Sequence, residues 1–170
     1  MKLIVGFILG LLALPLCAYF YVKAGMAPVA TSALPLPFER WAAGAALHAR
    51  IDKEMPKESP LPANDATYLA GAHVFREQCA VCHGLPGQPD TEISKGMYPK
   101  VPQLWKHGVD DDPPGETYWK VANGIRLTGM PGFRGSLTEE QMWQVSLMLA
   151  NAPKLPQPVL DFLKVPLKVE

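Results

Sequence analysis

Two cysteines two residues apart, Cys79 and Cys82, with His83 directly after the second, are the residues in this chain best suited to chemistry. They lie in "QCAVCHG", residues 78 to 84. Four chemistries use such a set. A thioredoxin-like redox pair wants a βαβ setting. A structural zinc site needs four ligands, normally from a second Cys or His pair at similar spacing, and the sequence holds none. A disulfide would close a very small loop and leave His83 without a role. Covalent haem attachment uses all three residues. The thiols bond to the two vinyl groups, and the adjacent imidazole is placed to coordinate the iron from the proximal side.

A sixth ligand is then sought downstream. "NGIRLTGMPGF" places Met130 in a Gly- and Pro-rich loop, 47 residues after His83. Gly129, Pro131 and Gly132 suit a backbone that approaches a flat ligand. Six other methionines compete. Met142 and Met148 have helical surroundings and read as core filling. Met97, in "KGMYPK", is the rival thioether, and His73 and His107 are the rival imidazoles.

The elements that position these residues read as helices joined by long loops. "NDATYLAGAHVFREQCAVCHG" opens on Asn64 or Asp65 as N-cap, with Leu69, Val74, Phe75 and Cys79 in an apolar helical pattern. "PPGETYWKVANG" is bracketed by prolines before and glycine after. "LTEEQMWQVSLMLANAP" has Thr138 three residues before Gln141, a capping box, with Met142, Trp143, Val145 and Leu149 inward and Pro153 as its stop. No alternating strand pattern intervenes, so the expected class is all-α.

Residues 64–152 resemble a class I c-type cytochrome domain. "GAHVFREQCAVCHG" carries the G-x-x-x-F-x-x-x-C-x-x-C-H pattern, "TGMPGF" is similar to T-x-M-P-x-F, and Trp143 stands where the family has an aromatic on its last helix. The resemblance implies a cytochrome c fold around one covalent haem c, with His83 and Met130 as axial ligands. It also implies that His83 donates to a proline carbonyl in a P-x-L segment. "YPKVPQL" offers Pro102 before Leu104, with Pro99 as rival. Gly71 would let another helix approach its backbone, and Phe75 and Trp143 would fill the crossing. Arg126 or Arg134 would neutralise a propionate or edge a docking face. Tyr98, Trp105 and Trp119 would wall the haem or donate to propionates.

Around this domain, assigned to residues 64–153, three further segments are expected. Residues 1–23 form a transmembrane anchor. "LIVGFILGLLALPLCAYFYV", residues 3–22, is an uncharged run of 20 residues, about 30 Å as a helix. It ends in interfacial aromatics rather than a small-x-small site, which favours an uncleaved anchor. Leu16 before Cys17 argues against lipidation there. Lys2 and Lys23 nearly balance, so charge alone does not orient the helix.

Residues 24–63 read as a Pro- and Ala-rich linker with a short amphipathic helix carrying Trp41, Ala45, Leu47, His48 and Ile51. Its apolar face is left to the bilayer, the domain or a partner. Residues 154–170 are a Pro-rich tail expected to pack on the domain.

Composition narrows the function. The 170 residues carry 16 Lys and Arg against 16 Asp and Glu, with 48% hydrophobic content. No electrostatic surplus exists for nucleic acid. The central domain has 7 Lys and Arg against 10 Asp and Glu, so no lysine-rich docking surface is implied.

His/Met ligation fills both axial sites and favours one-electron transfer over catalysis. The expectation is an electron carrier, not an enzyme in itself, with no small-molecule substrate. It would be held by a single-pass anchor in a bacterial inner membrane, with its haem domain in the periplasm. Its redox partners would be a terminal oxidase, a reductase or a periplasmic dehydrogenase, in one complex or apart. The alternative is a haem enzyme or a gas or redox sensor with an open sixth site.

Overall fold

A computed structural model of the chain describes residues 2–88, 90–106 and 108–166. His107 and the last four residues of the tail lie outside the described residues. Every element among the described residues is helical apart from an isolated bridge between Leu85 and Gln88.

The chain divides into two compact units, residues 1–39 and 40–170. The first is dominated by α1, Lys2–Lys23. Its 20 residues Ile4–Lys23 have a mean hydropathy of 2.2 and are long and apolar enough to cross a membrane.

The second unit starts ahead of the boundary expected at residue 64. Its first helix, α2, spans Glu39–Glu54 and is longer than the short helix expected. Trp41 is 73% exposed, whereas Ile51 at the other end is fully buried. The Trp119 indole N–H donates to the Glu54 carboxylate at 3.2 Å. Just beyond, the Pro56 carbonyl oxygen stands only 1.8 Å from where a Cβ on Gly115 would lie. Of the three surfaces open to this helix, its C-terminal end uses the domain. One buried isoleucine and one missing side chain make that close seat possible.

Helix α3, Asp65–Val74, begins as its cap dictates, with the Asn64 side-chain oxygen accepting from Thr67 N–H at 3.0 Å. It continues through a π-helical turn, Phe75–Cys79, into α4, Ala80–His83. After α5, Glu92–Lys95, come α6, Pro114–Asn123, and α7, Glu139–Ala150. Prolines open α6, Gly124 closes it at φ +67°, and the Thr138–Gln141 capping box opens α7 as expected. A 3-10 turn, Ala152–Lys154, leads to α8, Gln157–Lys164.

Helices α3 and α6 pack on α7. At the α3–α7 crossing a Cβ on Gly71 would lie 2.2 Å from the Gln144 carbonyl oxygen, so only glycine permits this approach. Phe75 and Trp143 are both buried, each against a ring from another segment. Trp143 stacks on Tyr118 with centroids 4.3 Å apart, and Phe75 meets Trp105 edge-on at 5.2 Å. Leu69, expected inward, is 40% exposed. The face that α3 buries runs through Tyr68, Gly71, Ala72 and Phe75, and Leu69 lies one residue, about 100°, away from that stripe.

The tail packs as expected through α8. Val159 and Leu163 are buried, and the Phe162 ring lies 4.2 Å from the His73 ring. The Arg76 guanidinium sits 5.0 Å over Phe162 and donates to the carbonyls of Phe162, at 3.1 Å, and Val165. It thereby adds a charged donor at the helix end, where the Phe162 carbonyl otherwise accepts only from Val165 N–H at 3.4 Å. Arg76→Ala is expected to lower stability by about 1.5–3 kcal/mol, the range for hydrogen bonds to a charged group. Urea unfolding would measure it, and protease sensitivity confined to residues beyond 155 would report the released tail.

Candidate functional site

The local backbone around the cysteines departs from a plain helix. Ala80 N–H bonds to the Phe75 carbonyl, five residues back, so the turn holds one residue more than an α-turn. Such π-turns are uncommon and cluster at functional sites. Here the extra residue falls between the buried stripe of α3 and the cysteines, and it resets which way they face. Cys79 ends the wide turn and Cys82 lies in α4. Both are partly buried free thiols, while Cys17 lies in α1. Burial, reinforced by the neighbouring Cys82, pushes the Cys79 thiol up to about 12.

His83, the last residue of α4, is oriented by a backbone acceptor. Its Nδ1 lies 3.0 Å from the Pro102 carbonyl oxygen. A carbonyl can only accept, so Nδ1 carries the proton and Nε2 keeps its lone pair. Pro102, not Pro99, is the partner. Burial holds the imidazole below its ordinary range, and the Pro102 bond partly offsets this. Leu104 of the same segment is buried in the core.

Met130 sits in a loop laced to the end of α6. Ile125 N–H donates to the Met130 carbonyl at 3.2 Å, and the Thr128 hydroxyl donates to Ile125 O at 2.7 Å while accepting from Met130 N–H at 3.1 Å. Leu127 takes φ +60° in this tight turn and is 92% exposed. Phe133 N–H returns to Val121 O at 2.9 Å. Gly124 and Gly132 bring the two strands of backbone together. A Cβ on Gly132 would lie 2.8 Å from the Asn123 carbonyl, and one on Gly124 would lie 2.5 Å from Gly132 N. Gly132 therefore serves the approach of loop to helix, a use that composition alone did not distinguish from approach to a ligand.

Cys79, Trp105 and Met130 are partly buried and border the same apolar core. Other candidates are used elsewhere. The Trp119 indole is engaged by Glu54, His73 packs on Phe162, and Arg134 donates to Asn123 Oδ1 at 3.5 Å. Arg126 is exposed. Met97 touches the loop at Gly129, beside Met130.

In the segment that follows Pro102, two buried polar atoms have no hydrogen-bond partner among the described residues, the Trp105 indole N–H and the Gln103 side-chain oxygen. Native interiors seldom leave such groups unpaired. An indole donor in this segment suits an anionic group such as a haem propionate. The donor set of two free thiols, one imidazole with a fixed tautomer and one half-buried thioether is also that of a covalently held haem. The residues fit the group.

Comparison with known proteins bears on this directly. A family described as "Cytochrome C oxidase, cbb3-type, subunit III" matches residues 66–147. A cytochrome c6 from Limnospira maxima is 34% identical over 82 residues, which cover 48% of this chain and 89% of that protein. The chain belongs to the c-type cytochromes. No solved structure gives a significant match. As a c-type cytochrome it binds haem c covalently and transfers electrons.

The reading of this cytochrome from sequence missed two features of the site. The π-turn has no residue signature. The contact of Met97 with Gly129 joins segments more than thirty residues apart, although Met97 itself stood out as a loop thioether.

Proposed function

We propose that this cytochrome carries single electrons through one haem bound by thioether links at Cys79 and Cys82, with His83 and Met130 as axial ligands. The observation that carries this reading is the His83 Nδ1–Pro102 bond of 3.0 Å, which leaves Nε2 as the only nitrogen able to ligate. When bound, the haem supplies a one-electron ferric/ferrous couple. His83, held by Pro102, fixes the proximal side and gains electron density from that bond. The Met130 thioether would favour ferrous iron, raise the potential and leave no ready position for oxygen or peroxide. The buried, unpaired Trp105 N–H would be available to a propionate, and exposed Arg126 would edge the face that meets a redox partner.

Helix α1 is the single-pass anchor, with the haem domain on the outer face of a bacterial inner membrane. With α2 grouped with the haem unit, residues 24–38 are the segment that links it to α1. Fifteen Pro- and Ala-rich residues span at most ~45 Å when extended. So short a reach favours a partner in or at the same membrane. The similarity to a subunit of cbb3-type cytochrome c oxidase makes a terminal oxidase complex the first partner to test.

The test is the optical spectrum of purified protein made with a haem-attachment system, oxidised, reduced, and reduced under carbon monoxide. A haem that stays with the denatured chain and a reduced spectrum indifferent to carbon monoxide are expected. A prompt shift under carbon monoxide would favour the open-site enzyme or sensor, and no covalent haem would refute the reading of Cys79 and Cys82.

A further inference from the structure

The loop that holds Met130 is secured unequally on its two sides. On the C-terminal side Gly132 lies against the end of α6 and Phe133 bonds to Val121. On the N-terminal side Arg126 and Leu127 are exposed, and Thr128 bonds only within the loop. The remaining residue, Gly129, meets a side chain from elsewhere in the chain. A Cβ on Gly129 would lie 1.9 Å from the Met97 methyl carbon and 3.5 Å from its sulfur. The methyl therefore occupies the space that glycine leaves open, and the sulfur stands farther off.

Met97 is itself well placed. Helix α5 has only four residues, yet it carries a complete capping box. Ser94 N–H donates to Thr91 Oγ1 at 3.0 Å, and Thr91 N–H donates to Ser94 Oγ at 2.9 Å. Ser94 also donates its hydroxyl to the Thr91 carbonyl at 2.9 Å and is buried. Met97 follows directly, with its N–H bonded to Ser94 O at 3.3 Å. Helix α5 packs on α4, the helix that ends in His83. A short, tightly closed element thus connects the segment of the proximal histidine to the loop of the distal methionine.

We propose that Met97 is a positioning residue for Met130, its methyl group bracing Gly129 so that the loop presents the Met130 sulfur in one place. This rests on the reading of Met130 as distal ligand. Methionine suits the task because its unbranched chain reaches into a narrow gap without forcing the backbone apart. The same geometry gives Gly129 a purpose, since any side chain there would displace the brace.

The experiment uses the full-length holoprotein and two readouts besides electron transfer. One is the long-wavelength sulfur-to-iron charge-transfer band of the oxidised form, and the other is the rate of carbon monoxide binding to the reduced form. Met97→Ala is expected to weaken the band without abolishing it and to speed carbon monoxide binding by about tenfold, the scale of one contact coupling. Met97→Leu, similar in volume but without sulfur, should stay within about twofold of the parent. Gly129→Ala should behave like Met97→Ala. Combining Gly129→Ala with Met97→Ala should restore much of the loss, because the new methyl fills the space just vacated.

An unchanged Met97→Ala together with an additive double variant would overturn the brace and leave Met130 as ligand. Loss of the band in Met97→Leu, with the band kept in Met130→Ala, would instead make Met97 the ligand and overturn both readings. If Met97→Ala does not yield folded protein, the comparison of Met97→Leu with Gly129→Ala still decides.

Discussion

Gly71→Ala is expected to destabilise the holoprotein by about 3 kcal/mol or more, among the largest effects available to a single methyl group. The added Cβ would lie 2.2 Å from the Gln144 carbonyl oxygen and 2.9 Å from Met148 Cβ. The first is backbone in the middle of α7, so no rotamer change relieves it. Either α3 and α7 move apart, opening a gap beside fully buried Phe75 and Met148, or the crossing fails. Helix propensity acts the other way, since alanine is better than glycine by about 1 kcal/mol in a helix interior. The clash must exceed that gain, and contact with rigid backbone ensures that it does. Urea unfolding of the haem-loaded protein would measure the change. Gly96→Ala is the control. Nothing lies nearer than 3.8 Å to its Cβ position, and it should fall within about 0.5 kcal/mol of the parent.

Such expectations depend on which parts of the structure sequence can reveal. Local chemistry was legible where one residue type has one use. Asn64 capping α3, the Thr138–Gln141 box and the inward face of α7 follow from hydrogen-bond geometry and helical period. The spacing of Cys79, Cys82 and His83 likewise leaves little choice of ligand. Pro102 could be named from its place before Leu104, yet only the fold excluded Pro99.

Long-range packing was less accessible. Helix α2 looked like part of a linker because Pro-rich stretches flank it, and its attachment depends on Ile51, on Glu54 and on Gly115, 59 residues beyond the Pro56 that it meets. No local pattern joins those positions. Leu69 shows the converse. Its type suggests the core, but the face of α3 was already committed by Gly71, which must meet α7.

Placing α2 with the haem domain changes how the cytochrome would operate. Under the proposed anchoring by α1, a 40-residue tether would let the haem wander, whereas a shorter one would keep it nearer the bilayer and raise its effective concentration at a membrane partner.

Met130→Ala is expected to have the largest functional effect. The thioether would be lost from a loop whose backbone is independently fixed by the Ile125–Met130 bond and by Gly132 against α6, neither of which involves the side chain. The fold should therefore persist, and the change should be confined to the iron. The sulfur-to-iron band should vanish from the oxidised spectrum, the reduced haem should bind carbon monoxide at once, and the potential should fall by on the order of 0.2 V within the ~0.8 V range that axial ligands command. The direction follows from the preference of a soft thioether for ferrous iron. Removing it, with water or nothing in its place, favours the ferric state. Met130→His separates ligation from loop position, because it should restore six-coordination and indifference to carbon monoxide while leaving the potential low. If Met130→Ala kept the band and the parent potential, another residue would hold the distal site, and Met97, in contact with Gly129, would be the first to examine.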